Sequence, residues 1–513
     1  MAIGACLAWD DRVCKDAMIP GLEGTYLVGR VVGRRRAGRR RVRIGRSDPS
    51  LTPVAGMAAV TELVERLRVI ARLDAAIGPI KARRRGCSGG QLLVGMAAAQ
   101  LAGEDFLVGL DRQRADGAGQ LLAPVPGLGS TTAAGLARRF TDEQWRSVET
   151  GIGEVHTAML TALSPARAAA LCQRVTIDLD TTDVEVYGRG KRGVAYNYQG
   201  QRCGRPHVAS WAETATVLAA DLMAGDEDPR SHAAQLLRRA LAALPAQAQT
   251  GRIRLRADAG YFAGELARAA LLAGIEFAIG AKRIAPLWRV LDGVAEDTWT
   301  DAIDMPDAQV AVAAYCPDWW PASTSLLIRR VRLDVTAGAV SADPRSRRRR
   351  TLHPDQRSLS LAELAEADAV YGYSFILTNL DVSTPEHAAA VEHWYRHRTQ
   401  IENIFRDSKH GAALRHLPSG YPQVNQAWMW GALLATSIAG WLHQLTATPK
   451  PDGRLIGHGT RGGQAMIATL RHQLIRIPAR LIHHAGALHL RLPPGHDLLE
   501  QILTQLRALP ATL

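Results

Sequence analysis

The sequence predicts an α/β fold in which helices flank a mixed β-sheet. The first observation is a series of short runs rich in strand-forming residues between positions 171 and 285: QRVTIDLDTT, WAETATVLAADL, RIRLRADAG and IEFAIGAKR. The second is that amphipathic stretches, SHAAQLLRRALAAL and FAGELARAALLAG, lie between the later runs. Strands followed by alternating helices and strands favour a mixed sheet with helices packed on it.

The region before this sheet is predicted to be all-helical. Its apolar residues recur at three- and four-residue spacing, as expected of amphipathic helices. Ser130 and Thr131 can cap a further helix that bears Arg138 and Arg139, and a helix-turn-helix-like end would suit DNA recognition. We therefore predict a helical DNA-binding domain at 51–150, with these two arginines as DNA contacts.

The first fifty residues differ from the rest of the chain. Eight of the thirteen residues at 34–46 are Arg. A flexible basic arm over 1–50 is one interpretation of such a charge run. A poorly ordered extension, or an upstream start codon, explains the run equally well.

The remaining segments follow from changes in pattern. The strand-like runs AQVAVAAYC and TSLLIRRVRLDV, followed by the basic run 345–350, predict a β-rich insertion. The predicted order is a basic arm at 1–50, a helical domain at 51–150, a first core part at 171–285, the insertion at 286–370, a second core part at 371–450 and a C-terminal region at 451–513.

Composition favours a nucleic-acid partner. Lys and Arg number 62 against 49 Asp and Glu, a formal net charge of +13, and each cation that meets a phosphate releases condensed counterions. The six cysteines are scattered and follow no signal peptide, so we expect reduced thiols in a cytoplasmic protein. The uncharged stretch 427–442 is too short to cross a bilayer, which predicts a buried core helix and no membrane partner.

Two of the predicted strands end in Asp. In VTIDLD the aliphatic residues share one face, whereas Asp178 and Asp180 point to the other. In IRLRAD, Asp258 stands at the strand end. Such residues are commonly turn residues or helix caps. Carboxylates at the ends of neighbouring strands can also converge on a hard cation such as Mg²⁺, and Asp178 is then a rival to Asp180.

A helix is predicted over 385–410. At about 100° per residue, four polar side chains fall within about 60° of one face. Trp394, Ile401 and Phe405 lie beside that face and can pack on the sheet. An ordinary solvated face with a Glu–Arg pair would show the same spacing. The four polar residues are Tyr395, Arg398, Glu402 and Lys409.

Together these segments resemble a known family. The spacing Tyr395-x2-Arg398-x3-Glu402-x6-Lys409 is similar to the YREK motif of bacterial insertion-sequence transposases, the DDE group 1 family with an RNase H-like catalytic core. IDLDTTDVEVYG and RADAGYF resemble the first and second Asp segments of that family. The segment between them, CGRPHVASWAETATVLAADLMAGD, resembles one with a Gly-Arg-Pro turn and an Ala-Glu-Thr strand. The insertion also lies where this family carries one.

The resemblance implies an enzyme that cuts DNA at transposon ends and joins them to target DNA. Asp180, Asp258 and Glu402 would then be both catalytic and metal-binding. Two Mg²⁺ ions, for which Mn²⁺ can substitute, suit such a carboxylate site. Besides Arg138 and Arg139, the candidate DNA contacts are Tyr395, Arg398, Lys409, Lys282 and Arg283.

The expected partners are double-stranded DNA, as terminal inverted repeats and as target, and a second copy of the chain, because two ends must be paired. Two other functions stay open at this point. One is an RNase H-like metal-dependent nuclease that does not join strands. The other is a catalytically inactive DNA-binding protein derived from a transposase.

Overall fold

The computed structural model describes residues 44–83, 85–451 and 454–510. Most of the predicted basic arm lies outside these residues. The strands of the described part are β1 (Leu51–Thr52), β2 (Arg174–Thr181), β3 (Val184–Glu185), β4 (Ala195–Tyr196), β5 (Arg202–Trp211), β6 (Thr216–Ala224), β7 (Arg252–Ala257), β8 (Glu276–Ala281), β9 (Thr300–Asp301), β10 (Ala308–Ala313), β11 (Ser325–Arg332), β12 (Tyr371–Thr378), β13 (Thr448–Pro449), β14 (Leu455–Ile456), β15 (Ala479–His484) and β16 (Ala487–Arg491).

Helices surround these strands and precede them. In the same described ranges they are α1 (Met57–Arg66), α2 (Val69–Ile77), α3 (Gly89–Leu101), α4 (Gly109–Ala115), α5 (Gly117–Gln120), α6 (Ser130–Ala137), α7 (Asp142–Ala162), α8 (Pro165–Gln173), α9 (Pro229–Ala242), α10 (Ala246–Gln249), α11 (Gly264–Leu272), α12 (Ala285–Asp292), α13 (Pro354–Arg357), α14 (Leu361–Glu366), α15 (Pro385–Arg396), α16 (Thr399–Arg406), α17 (Pro422–Thr446), α18 (Ile467–Leu470) and α19 (Asp497–Ala508).

One large mixed sheet organises the molecule. Among the described residues it has eleven strands, in the order β3-β5-β2-β7-β8-β12-β11-β10-β9, with β4 and β6 also paired to β5. β7 runs parallel to both β2 and β8, and β2 runs antiparallel to β5. Helices α9, α11, α15, α16 and α17 pack on the sheet, which confirms the predicted mixed α/β architecture. The strands of the predicted insertion extend this same sheet beyond β12.

The centre of the sheet is buried on both sides. Val175, Ile177 and Leu179 on one face of β2, and Asp178 on the other, have no exposed surface, because neighbouring strands cover the edges of β2 and helices cover its faces. The β-branched and aliphatic residues of this run therefore form a strand, as their alternation predicts.

The segment between the two Asp-bearing strands differs from expectation. Residues 204–206, expected to form a turn, lie inside β5, whereas residues 212–214, expected to form a strand, lie in the turn between β5 and β6. Pro206 is accommodated because it falls between the parts of β5 that pair with β3 and with β2, where a ladder N–H is not needed. Its carbonyl accepts a hydrogen bond from Thr182 N.

The helix predicted over 385–410 is interrupted, so the prediction of one continuous face was wrong. α15 ends at Arg396, α16 begins at Thr399, and a π-helical turn follows at Asp407–Gly411. Arg256 Nη1 caps the end of α15 by donating to the carbonyl oxygens of Trp394 and His397, at 2.7 and 3.0 Å. This contact from β7 satisfies carbonyls that a continuing helix would bond internally.

The apolar stretch 427–442 lies within α17, which is buried along most of its length. A Cβ at Gly431 would lie 2.9 Å from Met96 Cβ, so this glycine lets α17 and α3 approach closely. Residues of α3, α7 and α17 join the sheet in one hydrophobic core. Within the described ranges, no helix is both long enough and apolar enough to span a membrane.

Within the unit 49–513, the first strand lies beside the C-terminal region. β1 pairs antiparallel with β15, and β15 pairs with β16, so part of the C-terminal region forms strands. α19 packs against α1, and Arg66 Nη1 donates to Leu509 O at 3.1 Å.

Candidate active site

The sheet places two of the predicted carboxylates side by side. β2 and β7 are parallel neighbours in which Leu179 pairs with Ala257. The next residues are Asp180, near the end of β2, and Asp258, directly after β7. Their side chains therefore start from adjacent positions at one edge of the sheet. Asp258 Oδ1 accepts a hydrogen bond from Gly260 N at 2.8 Å, which caps a short 3-10 turn and holds the carboxylate at the strand end.

Asp180 is surrounded by charged side chains. Arg398 Nη2 donates to Asp180 Oδ2 at 3.1 Å and to Leu179 O at 3.3 Å. Burial raises the pKa of Asp180 to about 7; Arg398 opposes this shift, and the charges of Asp258 and Glu402 add to it. Asp258 and Glu402 are thus each near enough to repel the charge of Asp180.

Glu402 approaches this pair from α16. Its side chain is exposed, whereas Ile401 and Phe405 of the same helix are buried. These apolar neighbours fix the rotation of α16 against the core. Glu402 acts on Asp180 through its charge, although among the described residues no three His, Cys, Asp or Glu side chains are close enough together to hold a metal ion.

The chemistry of this donor set fits a divalent cation. The charge of Asp180, which Asp258 and Glu402 both repel, is stabilised when a positive charge lies near it, and hard cations prefer carboxylate oxygens. Arg398 supplies part of that positive charge through Asp180. The Nε atom of Arg398 is buried and has no hydrogen-bond partner within the described part of the chain, so this guanidinium retains a donor for a further group.

Asp178, the rival to Asp180, has a structural partner. It has no exposed surface, and its two oxygens accept hydrogen bonds from Arg256 Nε and Nη2 at 2.7 and 2.9 Å. Because Arg256 also caps α15, the Asp178–Arg256 pair joins β2, β7 and the α15–α16 turn. Both oxygens of Asp178 are therefore already engaged by a guanidinium.

The other residues of the helical motif bond to the ends of the same strands. Tyr395 Oη donates to Ala257 O at 3.2 Å. Lys409 Nζ donates to Asp183 O at 2.7 Å, and burial lowers the pKa of Lys409. The helix is interrupted at Arg398. The side chains of Tyr395, Arg398 and Lys409 nevertheless all bond to backbone carbonyls at the carboxyl ends of β2 and β7 or just beyond them.

Gly280 is a site residue that the sequence reasoning missed. It lies in β8, beside Asp258, and a Cβ there would come within 2.6 Å of Tyr395 Oη and 2.8 Å of Ala259 N. A glycine inside a strand run, as in IEFAIGAKR, is a known signal of close backbone approach. That signal was present in the sequence.

A second missed group surrounds Asp183. Its carboxylate accepts hydrogen bonds from Arg205 Nε at 2.7 Å and Asn197 Nδ2 at 2.8 Å. Together with the contact from Lys409 to its carbonyl, these bonds tie the segment after β2 to β5 and to the π-helical turn. Arg205, Asn197 and Lys409 thus hold the chain that follows Asp180.

The remaining predicted DNA contacts are spread over the surface. Arg138 and Arg139 are exposed at the end of α6, with Arg138 stacked 4.9 Å from the centroid of the Tyr421 ring. Lys282 and Arg283 are exposed directly after β8, and Arg283 Nε donates to Tyr373 O at 2.9 Å. Burial lowers the pKa of Arg283, and the positive charges of Arg329, Arg347 and Arg350 lower it further.

Comparison with known proteins identifies the family. The family model described as transposase DDE domain group 1 matches residues 35–511. No curated protein matches the chain. Among solved structures, a cryo-EM structure of the piggyBac transposase synaptic complex with hairpin DNA aligns with 11% identity and a TM-score of 0.34, over 75% of this chain and 74% of that chain. Because the family model covers nearly the whole sequence, this chain belongs to the transposase DDE domain group 1 family.

Proposed function

We propose that this chain is a DNA transposase that cuts DNA at transposon ends and joins the freed ends to target DNA. One observation carries the proposal. Asp180 and Asp258 stand side by side at the carboxyl ends of neighbouring parallel strands, and the charge of Glu402 reaches Asp180. We assign these three carboxylates to the DDE motif that the resemblance implies.

The sheet supports an RNase H-like core for this chemistry. Its central strands follow the order β6-β5-β2-β7-β8, in which β5 and β6 are antiparallel and β2, β7 and β8 are parallel. In open α/β sheets, sites form outside the carboxyl ends of parallel strands. The carboxylates lie at that edge.

Asp180, Asp258 and Glu402 would hold two Mg²⁺ ions, or Mn²⁺ in their place. Such ions activate a hydroxyl nucleophile, stabilise the phosphate and neutralise the leaving oxygen. The chain's own contribution is to hold the three carboxylates on a rigid sheet edge and helix. Tyr395, Arg398 and Lys409 would hold phosphates and a displaced base, since guanidinium and ammonium groups donate to phosphate and a phenol ring can stack.

The basic surfaces would bind the rest of the DNA. Lys282 and Arg283 follow β8 and lie near further arginines, so they are suited to phosphate contacts at the edge of the site. We propose the helical region 51–150, with Arg138 and Arg139, as the DNA-binding domain. Pairing of two ends would require two copies of the chain on DNA.

A strand-transfer assay tests the proposal. The full chain is incubated with Mg²⁺ and labelled DNA that carries the terminal inverted repeats flanking its gene, together with a plasmid target. We expect nicks at the repeat ends followed by covalent joining to the plasmid. Hydrolysis without joining would instead establish a nuclease. Specific binding without cleavage, unchanged by loss of all three carboxylates, would establish an inactive DNA-binding protein.

A further inference from the structure

Residues 186–202 form a basic, tyrosine-rich surface next to the candidate active site. The segment contains Tyr187, Tyr196 and Tyr198, whose side chains are 85%, 67% and 90% exposed. It also contains four cations and no Asp or Glu. Exposed aromatic rings of this size are expensive to hydrate unless a partner covers them. We name this segment the tyrosine hairpin; its cations are Arg189, Lys191, Arg192 and Arg202.

The backbone of the tyrosine hairpin is held in place before any partner binds. Asn197 is buried, and its Oδ1 accepts hydrogen bonds from Gln199 N and Gln201 N at 3.0 and 2.9 Å. Arg202 donates to the carbonyl oxygens of Gly188 and Lys191 at 2.6 and 2.7 Å. The tyrosines therefore stand on an ordered loop, which lowers the entropic cost of using them for binding.

The tyrosine hairpin is tied directly to the carboxylate site. Asn197 Nδ2 donates to Asp183 Oδ2 at 2.8 Å, and Lys409 Nζ donates to Asp183 O. Asp183 lies three residues after Asp180 in the sequence. DNA whose phosphates meet Lys409 would thus pass beside the hairpin.

The charged surface continues onto α6 and the start of α17. Arg192 and Arg138 both lie over the ring of Tyr421, at 5.5 and 4.9 Å from its centroid. Arg192 N also donates to Gly420 O at 3.2 Å, and Lys191 Nζ donates to Leu417 O. These contacts join the hairpin to Tyr421, which is 44% exposed, in one surface of aromatic rings and guanidinium groups.

We propose that the tyrosine hairpin binds unpaired nucleotides of the DNA beside the cleavage point, with bases stacked on Tyr196 and Tyr198 and phosphates on Arg189 and Arg192. Cations alone would bind the phosphate backbone of any duplex, whether or not its bases are paired. An exposed phenol ring adds a stacking surface that only a base freed from its pair can reach. This inference rests on the proposed transposase function, because it takes the carboxylate site as the point at which DNA is cut.

Equilibrium binding in the presence of EDTA tests the inference without catalysis. The probes are a short fluorescent duplex and the same duplex with a few mispaired bases at its centre, and the readout is the Kd from fluorescence anisotropy. We expect wild type to prefer the mispaired probe. The double variant Y196A/Y198A should lose about 5- to 100-fold in affinity for that probe per stacked base, with a smaller loss on the paired duplex.

Two variants act as controls. Y196F/Y198F keeps both rings and should retain the preference for mispaired DNA. Leu272→Ala removes a side chain that is 90% exposed on α11 and should change neither affinity. The inference would be overturned if Y196A/Y198A lost the same affinity for both probes, or if its Kd for the mispaired probe equalled that of wild type. Since no cleavage is measured, a chain that prefers mispaired DNA through its tyrosines but never cuts DNA would refute the proposed function alone.

Discussion

Two aspartates only two positions apart, Asp178 and Asp180, have opposite environments. Asp178 is enclosed and bonded through both oxygens to Arg256, whereas Asp180 faces two other carboxylates, accepts the Thr181 N–H at Oδ1 and bonds to Arg398 only through Oδ2. The first arrangement stabilises the fold. In the second arrangement, neighbouring negative charges destabilise the ionised form of Asp180, and a bound cation would stabilise it.

Their Asn variants should therefore fail in different ways. Asp178→Asn leaves the buried Arg256 charge without a carboxylate and should cost about 3–5 kcal/mol of unfolding free energy. Asp180→Asn removes a carboxylate that is 19% exposed, and should abolish cleavage with a smaller loss of thermal stability than Asp178→Asn. Thermal denaturation and cleavage assays on both variants check this. A stable, inactive Asp178→Asn protein together with an active Asp180→Asn protein would reverse the assignment.

Glu149 makes a separate prediction about pH. Burial raises its pKa from 4.5 to about 7, opposed by Arg239 and by the Ala220 N–H. Because the folded state then binds more protons than the unfolded state, the free energy of unfolding should fall as pH rises from 4.5 to about 7. Urea unfolding should show this fall in wild type. In Glu149→Gln the fall in unfolding free energy should be smaller by on the order of 1–3 kcal/mol.

The matched control for that measurement is Glu143→Gln, on the exposed face of the same helix, α7. It should follow wild type at every pH. If the unfolding free energy of wild type and Glu149→Gln changed equally with pH, Glu149 would not contribute to the pH dependence of stability.

At the scale of elements, the approach of α15 to β8 depends on one glycine. Gly280→Ala would place a Cβ against Tyr395 Oη and Ala259 N, next to Asp258. Overpacking of this kind costs about 1–3 kcal/mol, and a shift of about 1 Å at the site should lower the cleavage rate on the order of a hundredfold.

Gly293→Ala, directly after α12 where a Cβ would meet only Val290 O at 3.6 Å, is the control and should retain full activity. Cleavage rates and unfolding midpoints measure both variants. If Gly280→Ala cleaved DNA at the wild-type rate, this packing would not position the site.

The α15–α16 break shows where sequence reasoning stops at this scale. The spacing grouped Tyr395, Arg398, Glu402 and Lys409, and the side chains of Tyr395, Arg398 and Lys409 bond near the carboxyl ends of β2 and β7. It could not show the break, because the partner that caps α15 is Arg256, about 140 residues earlier in the chain. A tertiary hydrogen bond of this kind leaves no local pattern.

At the scale of the whole molecule, strand periodicity predicted the core strands β2, β7 and β8, because their residues are buried on the pleated sheet. β5 was missed where Pro206 and Gly204 read as a turn. Their tolerance within the sheet depends on a gap between two partner strands. Only the assembled sheet reveals that gap, since it depends on pairing across distant segments.

The pairing of the chain ends makes a prediction at the same scale. Ile502 of α19 has no exposed surface, and α19 packs on α1 and α17. Ile502→Ala should lower the unfolding free energy by about 2–5 kcal/mol, as measured by urea unfolding. Gln505→Ala, exposed on the same helix, should cost little; equal, small effects from both would mean that α19 adds nothing to the core.

The rate of DNA cleavage by single carboxylate variants tests the central claim most directly. Wild type, Asp180→Asn, Asp258→Asn and Glu402→Gln are compared with Mg²⁺ on the same end-containing DNA, with Kd measured alongside and Glu143→Gln as control. We predict that each site variant loses about a thousandfold or more in rate while binding DNA as tightly as wild type. A Glu402→Gln protein that cleaves at the wild-type rate would contradict the three-carboxylate site.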